Sequence, residues 1–126
     1  MIRGTTAQFK FKLPCAKEEL QWAKIKFWQS QNPSTYLPIT KNLDHCSVSP
    51  DSPEIIYVSL TSEETLWFSD KYKAKVQLRA MKNDGTTFAS KEKLVTVYSI
   101  NDDFVDELIA AENEQGWIIL DGESII

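Results

Sequence analysis

The sequence predicts an all-β sandwich or barrel of about seven short strands, with a short helix and a helical C-terminal segment. Three observations predict it. Apolar and polar residues alternate with period two through most of the first 100 positions, the pattern of strands with one buried face. Turn-forming clusters separate these stretches at intervals of roughly 8–15 residues. The period turns helical at two places, near residue 62 and after residue 101. At 126 residues the chain has the size of one domain. The expected organisation is a β-sandwich domain over 1–100 and an acidic helical segment over 101–126, packed on its own domain or on a neighbour's.

Residues 8–13 alternate Phe9, Phe11 and Leu13 with Gln8, Lys10 and Lys12, and Pro14 ends this first strand. A connection over 15–21 has room for one helical turn. Residues 22–29 set Ala23, Ile25 and Phe27 on one face and Trp22, Lys24, Lys26 and Trp28 on the other. A loop with Asn32-Pro33 follows, then a short strand over 37–43, which Pro38 moves towards a sheet edge. Residues 47–53 read as a loop. In 54–60, Ile56, Val58 and Leu60 alternate with Ile55, Tyr57 and Ser59. Thr61-Ser62-Glu63-Glu64 then forms a capping box, with Thr61 as N-cap. It opens a helix predicted over 62–68 that passes from one sheet to the other, with Trp67 and Phe68 in the core. Residues 72–81 point Ala74, Val76, Leu78 and Ala80 inward, with Lys73, Lys75, Gln77 and Arg79 outward. Asn83-Asp84-Gly85 is a hairpin turn. The return strand is broken into 86–90 and 94–100. Asn101 caps a second helix near 102–113, with Phe104, Val105, Leu108 and Ile109 as its stripe. Residues 117–120 close the chain as a strand, with Trp117 as the anchor. The core expected from these phases is Phe9, Phe11, Ile25, Phe27, Ile56, Val58, Val76, Leu78, Val95 and Val97.

Charge is unevenly spread. All 14 Lys and Arg, and 10 of the 18 Asp and Glu, lie before residue 101. The body therefore carries +4 and residues 101–126 carry −8, for a total of −4. Residues 101–126 read either as a solvated acidic helix and tail or as an element docking on a basic surface. No apolar run approaches the ~20 residues of a spanning helix, so no membrane crossing is expected. The opening residues carry no apolar signal region, so secretion is not expected either.

Catalysis needs a constellation of groups, and none assembles. Cys15 and Cys46 are too few for a disulfide framework and are expected as free thiols. His45 is the only histidine. It precedes Cys46, and neighbouring strand residues point to opposite faces, so the pair should diverge. Glu63-Glu64 and Asp102-Asp103 are accounted for by a cap and a helix dipole. Four glycines build no phosphate loop. No enzymatic activity, metal or cofactor is expected. The candidate interface is Trp22, Lys24, Lys26 and Trp28, joined by Phe104, Leu108 and Trp117. Lys10 and Lys12 extend it if their strand is adjacent. That surface could be a solvated face with its tryptophans covered by a helix or loop. It could instead hold a protein partner or a sugar; nucleic acid is disfavoured by the acidic net charge.

The opening Met1-Ile2-Arg3-Gly4-Thr5-Thr6, with the Phe-x-Phe-x-Leu-Pro strand at 9–14, resembles a family of small proteins in phages and prophages of Firmicutes. That family is similar to the N-terminal immunoglobulin-like domain of phage baseplate upper proteins. The block from Leu60 to Phe68 resembles the family's Leu-Thr-x-Glu-Glu-Thr-Leu-x-Phe. Val76-Gln77-Leu78-Arg79 is similar to its Val/Ile-Gln-Leu-Arg, and Leu120-Asp121-Gly122 to its closing Lys-Asp-Gly. The resemblance spans about residues 1–100 and the last few. It departs at Ala7, where proline is common, at longer loops over 30–38 and 46–54, and at an inserted 101–116. It implies an immunoglobulin-like β-sandwich and a non-enzymatic tail or baseplate structural protein. Its partners would be other phage tail or baseplate proteins, or further copies of itself. It would reside in the host cytoplasm before assembly and in the virion afterwards. An alternative is a small adaptor or carbohydrate-binding module using Trp22 and Trp28.

Overall fold

The computed structural model describes residues 1–32 and 38–99, and the backbone alone of 117–121. The alternation of residues 7–12 becomes β1 (Ala7–Lys12), with Ala7, Phe9 and Phe11 buried. It pairs antiparallel with β5 (Ser52–Leu60), Phe9 opposite Val58, and parallel with β9 (Trp117–Asp121), Phe9 opposite Ile118. Beyond β5 lies β4 (Ser47–Ser49), so the first sheet runs β4-β5-β1-β9. In the second sheet β2 (Leu20–Trp28) lies between β3 (Ile39–Asn42) and β6 (Ala74–Lys82). β7 (Thr87–Ala89) and β8 (Lys93–Val95) divide the far side of β6 between them. Every pair except β1–β9 is antiparallel.

The two sheets pack face to face as an all-β sandwich. The Phe9 and Phe27 rings meet across the interface with centroids 4.9 Å apart and planes at 53°, a tilted contact that suits the charge distribution of aromatic rings. All ten residues expected in the core are buried, together with Leu13, Leu60, Phe68 and Ala80.

Among the described residues, three of the connections that carry the chain between sheets are closed in the same way. A single helical turn follows the strand, and the side chain of its third residue accepts a hydrogen bond from the backbone N–H just before the turn. Glu19 Oε2 serves Ala16 at 2.9 Å in the 3-10 turn Lys17–Glu19. His45 Nδ1 serves Asn42 at 3.1 Å in the 3-10 turn Leu43–His45. Glu64 Oε1 serves Thr61 at 2.9 Å in α1 (Ser62–Thr65). A chain leaving a ladder abandons backbone partners, and this acceptor replaces one.

At α1 the box is reciprocal, since Thr61 Oγ1 accepts from the Glu64 N–H at 3.1 Å. Thr61→Ala is therefore expected to cost about 1 kcal/mol, read as a lowered urea midpoint. Desolvation pushes the Glu64 carboxyl upward. The hydrogen bonds from Lys41 Nζ, at 2.9 Å, and from Thr61 outweigh it and hold the group below its ordinary value of 4.5. The folded form thus favours the carboxylate. This stabilisation is complete above the ordinary value and is lost as pH falls through the lowered one. Lys41→Met should reduce that acid sensitivity in pH-dependent melts.

Two expectations change here. The helix predicted over 62–68 is α only to Thr65, and then Leu66, Trp67 and Phe68 bond back three residues rather than four. In this tighter winding residues i and i+3 align, so Thr65 and Phe68 point into the core. Trp67, expected there too, is 51% exposed. The stretch 47–53, expected as a loop, begins with β4 and ends within β5.

The break in the return strand has a visible cause. Ser90 Oγ accepts from the Leu78 N–H at 2.9 Å, while the Ser90 N–H bonds the Leu78 carbonyl. A side chain thus takes a ladder position, and the chain steps out before β8. In the preceding hairpin, Gly85 adopts φ +90°, a conformation that glycine adopts without steric cost.

Candidate interface

β2 points Trp22, Lys24, Lys26 and Trp28 away from the sandwich, as the alternation requires. Its antiparallel register with β6 sets Arg79 opposite Lys24, Gln77 opposite Lys26 and Lys75 opposite Trp28. Directly paired residues share a face, so Arg79, Gln77 and Lys75 join the candidate. Trp22, Lys24, Lys26, Gln77 and Arg79 line a shallow depression of about 180 Å³. The Lys24 ammonium stands 6.0 Å from the Trp22 ring centroid, at the outer range of a cation–π contact. Among the described residues, the ion pairs are Lys41 with Glu64 at 2.9 Å and Lys75 with Glu92 at 4.0 Å. Neither involves Lys24, Lys26 or Arg79.

Lys10 and Lys12 do not extend this face, because β1 belongs to the other sheet. Alternation alone turns Arg79 and Gln77 outward on their own strand; the long-range pairing of β6 with β2 brings them to this face. Trp22 and Trp28 are both half-buried, and at roughly 3.3 Å per residue stand about 20 Å apart along β2. That span exceeds one sugar ring or two stacked bases. Trp117 occupies a β9 position opposite Gln8, in the first sheet; its side chain is outside the described residues. Phe104, Leu108 and the helix expected near 102–113 also lie outside them.

A second recess, of about 460 Å³, lies between β1, β5 and the Leu43–His45 turn and is lined by Gln8, Lys41, Asp44, His45, Cys46 and Tyr57 among others. Its chemistry is muted. His45 Nδ1 is occupied as the acceptor for Asn42, and Cys46 Sγ lies 3.5 Å from the Asn42 carbonyl. His45 is exposed and Cys46 is 7% exposed, so the two side chains part as expected, though on a turn rather than a strand. Burial pushes the Cys46 thiol up to about 11, against a smaller downward pull from Lys17. Burial also raises Cys15. A thiol held protonated at neutral pH is a poor nucleophile. Among the described residues no group of three or more His, Cys, Asp or Glu is placed to hold a metal ion, and no helix is long and apolar enough to cross a membrane. Both cysteines are free. Each should react with a thiol reagent once the protein is unfolded, without prior reduction, and Cys46 should react slowly in the folded protein.

Two of the segments quoted for the resemblance, the opening residues and the block from Leu60 to Phe68, meet in space. Ile2 bridges Tyr98, and the opening strand runs beside residues 96–98 before entering β1. There Arg3 Nη2 donates to the Leu66 carbonyl at 3.2 Å. Thr65 Oγ1 accepts from the Gly4 N–H at 3.0 Å and donates to the Thr5 carbonyl at 2.8 Å. The two motifs are thus one structural joint. No protein-family model and no curated protein matches the chain.

Proposed function

We propose that the chain is a non-enzymatic structural protein of a phage or prophage tail or baseplate, an immunoglobulin-like sandwich working through protein–protein contacts. The observation that carries this reading is the joint just described. The opening Arg-Gly-Thr-Thr and the Leu-Thr-x-Glu-Glu-Thr-Leu block are distant in sequence and interlock through Thr65, which supports their belonging to one inherited architecture. Strand order supports the fold assignment. With β1 taken as strand B, the sheets become D-E-B against C′-C-F-G, and β9 takes the place beside B that strand A holds in an immunoglobulin domain. The muted thiol and the occupied histidine support a role outside catalysis.

In this reading the protein is made in the host cytoplasm and ends in the virion. The C-terminal segment docks on its own sandwich through β9, which extends the first sheet beside β1. Deleting residues 101–126 should therefore lower stability, read as a lower melting temperature. The reading itself is tested by inducing the prophage and analysing purified particles by mass spectrometry. The chain should co-purify with tail components in a fixed ratio. Its absence from particles, with free protein left in the lysate, would overturn the reading.

A further inference from the structure

We propose that the outer face of β2 and β6 binds an acid-rich polypeptide segment of a partner protein. This inference rests on the reading of the chain as a part that works by protein contact, and it names the chemistry of one contact.

The register places Lys24 directly opposite Arg79, with Lys26 two residues along the same face. Like charges opposed across a ladder destabilise a sheet, and among the described residues no ion pair relieves these three. An anionic partner would convert that repulsion into attraction. The shape narrows the class of anion. A depression of about 180 Å³ is smaller than the ~300–1,000 Å³ of small-molecule sites, and it suits individual side chains. Single-stranded nucleic acid needs aromatic platforms for successive bases, and Trp22 and Trp28 are too far apart to supply them. Along an extended peptide, same-face side chains repeat at roughly 6.6 Å, the spacing of Lys24 and Lys26 on β2. Trp22 closes one end of the depression as an aromatic anchor of the kind interfaces favour. Of the chain's own acid-rich segment, Trp117–Asp121 pairs with β1 in the opposite sheet, and occupation of the β2–β6 face by the rest of that segment is one outcome of the test.

The test titrates the full chain into labelled poly-L-glutamate and, separately, into oligo(dT) of matched length. Poly-L-glutamate should bind at low salt and weaken as salt rises. The double variant Lys24→Glu/Arg79→Glu should lower affinity by about tenfold or more. Lys10→Glu, on the opposite sheet, should leave it unchanged. Folding is controlled within the same set, because Arg79→Glu alone replaces a like-charge pair by an opposite one and should raise Tm while weakening binding. Absence of poly-L-glutamate binding would overturn the proposal, as would tighter binding of oligo(dT) or an equal loss in Lys10→Glu. Carbodiimide cross-links joining Lys24 or Lys26 to residues 101–126 would overturn it too, by giving the face an internal occupant. A chain found in particles that ignores poly-L-glutamate sinks this inference alone. A chain that binds it yet is missing from particles sinks the functional reading alone.

Discussion

Phe27→Ala is expected to lower unfolding free energy by about 3–5 kcal/mol, a large part of the ~5–15 kcal/mol typical of a domain. Phe27 is 1% exposed. Its ring packs on Phe9 from the opposing sheet, and within its own sheet it stands opposite Val76 on one side and Ile39 on the other. Removing it opens a cavity between layers whose backbones are held by ladders on both sides, so little collapse can fill the space. Phe27→Leu retains most of the volume and should cost clearly less. Urea denaturation with an unchanged slope would register the difference as a shift in midpoint. An alanine variant as stable as the parent would mean that the sheets do not join through this pair.

Gln29→Leu is expected to cost about 2–4 kcal/mol, although leucine is similar in size and more apolar. Gln29 is 1% exposed. Its Nε2 donates to the carbonyls of Ser69 and Tyr72, both at 2.8 Å, and its Oε1 accepts from the Ser69 N–H at 2.8 Å and from Asn32 Nδ2 at 2.6 Å. Asn32 Nδ2 in turn reaches the Trp67 carbonyl at 2.9 Å. One amide thus ties the end of β2 to the turn that feeds β6. Leucine would leave several of these groups unsatisfied, each costing about 1–3 kcal/mol where water cannot replace the partner. Amide exchange at Ser69 should accelerate before global unfolding. Gln29→Glu keeps the Oε1 acceptor but turns a second carboxyl oxygen towards the Ser69 and Tyr72 carbonyls, so it too should be destabilised, more when ionised than at acid pH. Equal stability of Leu and parent would remove the network from the list of what holds this end together.

Alternation alone settled which residues of β1, β2, β5 and β6 face inward. The buried partner of each ladder residue is itself apolar, so local pattern and tertiary packing agree. The capping box at Thr61 was equally local, since a donor and an acceptor three residues apart find each other within one turn. Where a second element intervenes, the pattern falls silent. β4 has three residues and no apolar alternation, and it is a strand only because the edge of β5 offers it partners. Trp67 turned outward because the winding tightened after Thr65, a choice tied to the anchoring of Thr65 by Gly4 and Thr5 some sixty residues away.

The candidate interface divides along the same line. Period two put Trp22, Lys24, Lys26 and Trp28 on one face without further help, because side chains of a strand alternate whatever lies beside it. Which strand lies beside it is a long-range pairing that period two does not encode. Lys10 and Lys12 were equally plausible neighbours by pattern, and Arg79 and Gln77 are the real ones, because β1 and β2 crossed into different sheets at the turn Lys17–Glu19. Local pattern was enough for a β-sandwich core, its inward residues and an uneven charge. The parallel seat of β9 beside β1 and the Lys24–Arg79 opposition emerge only in the folded chain, because both depend on ladder partners far apart in sequence, and those partners are chosen by how the two apolar faces close on one another.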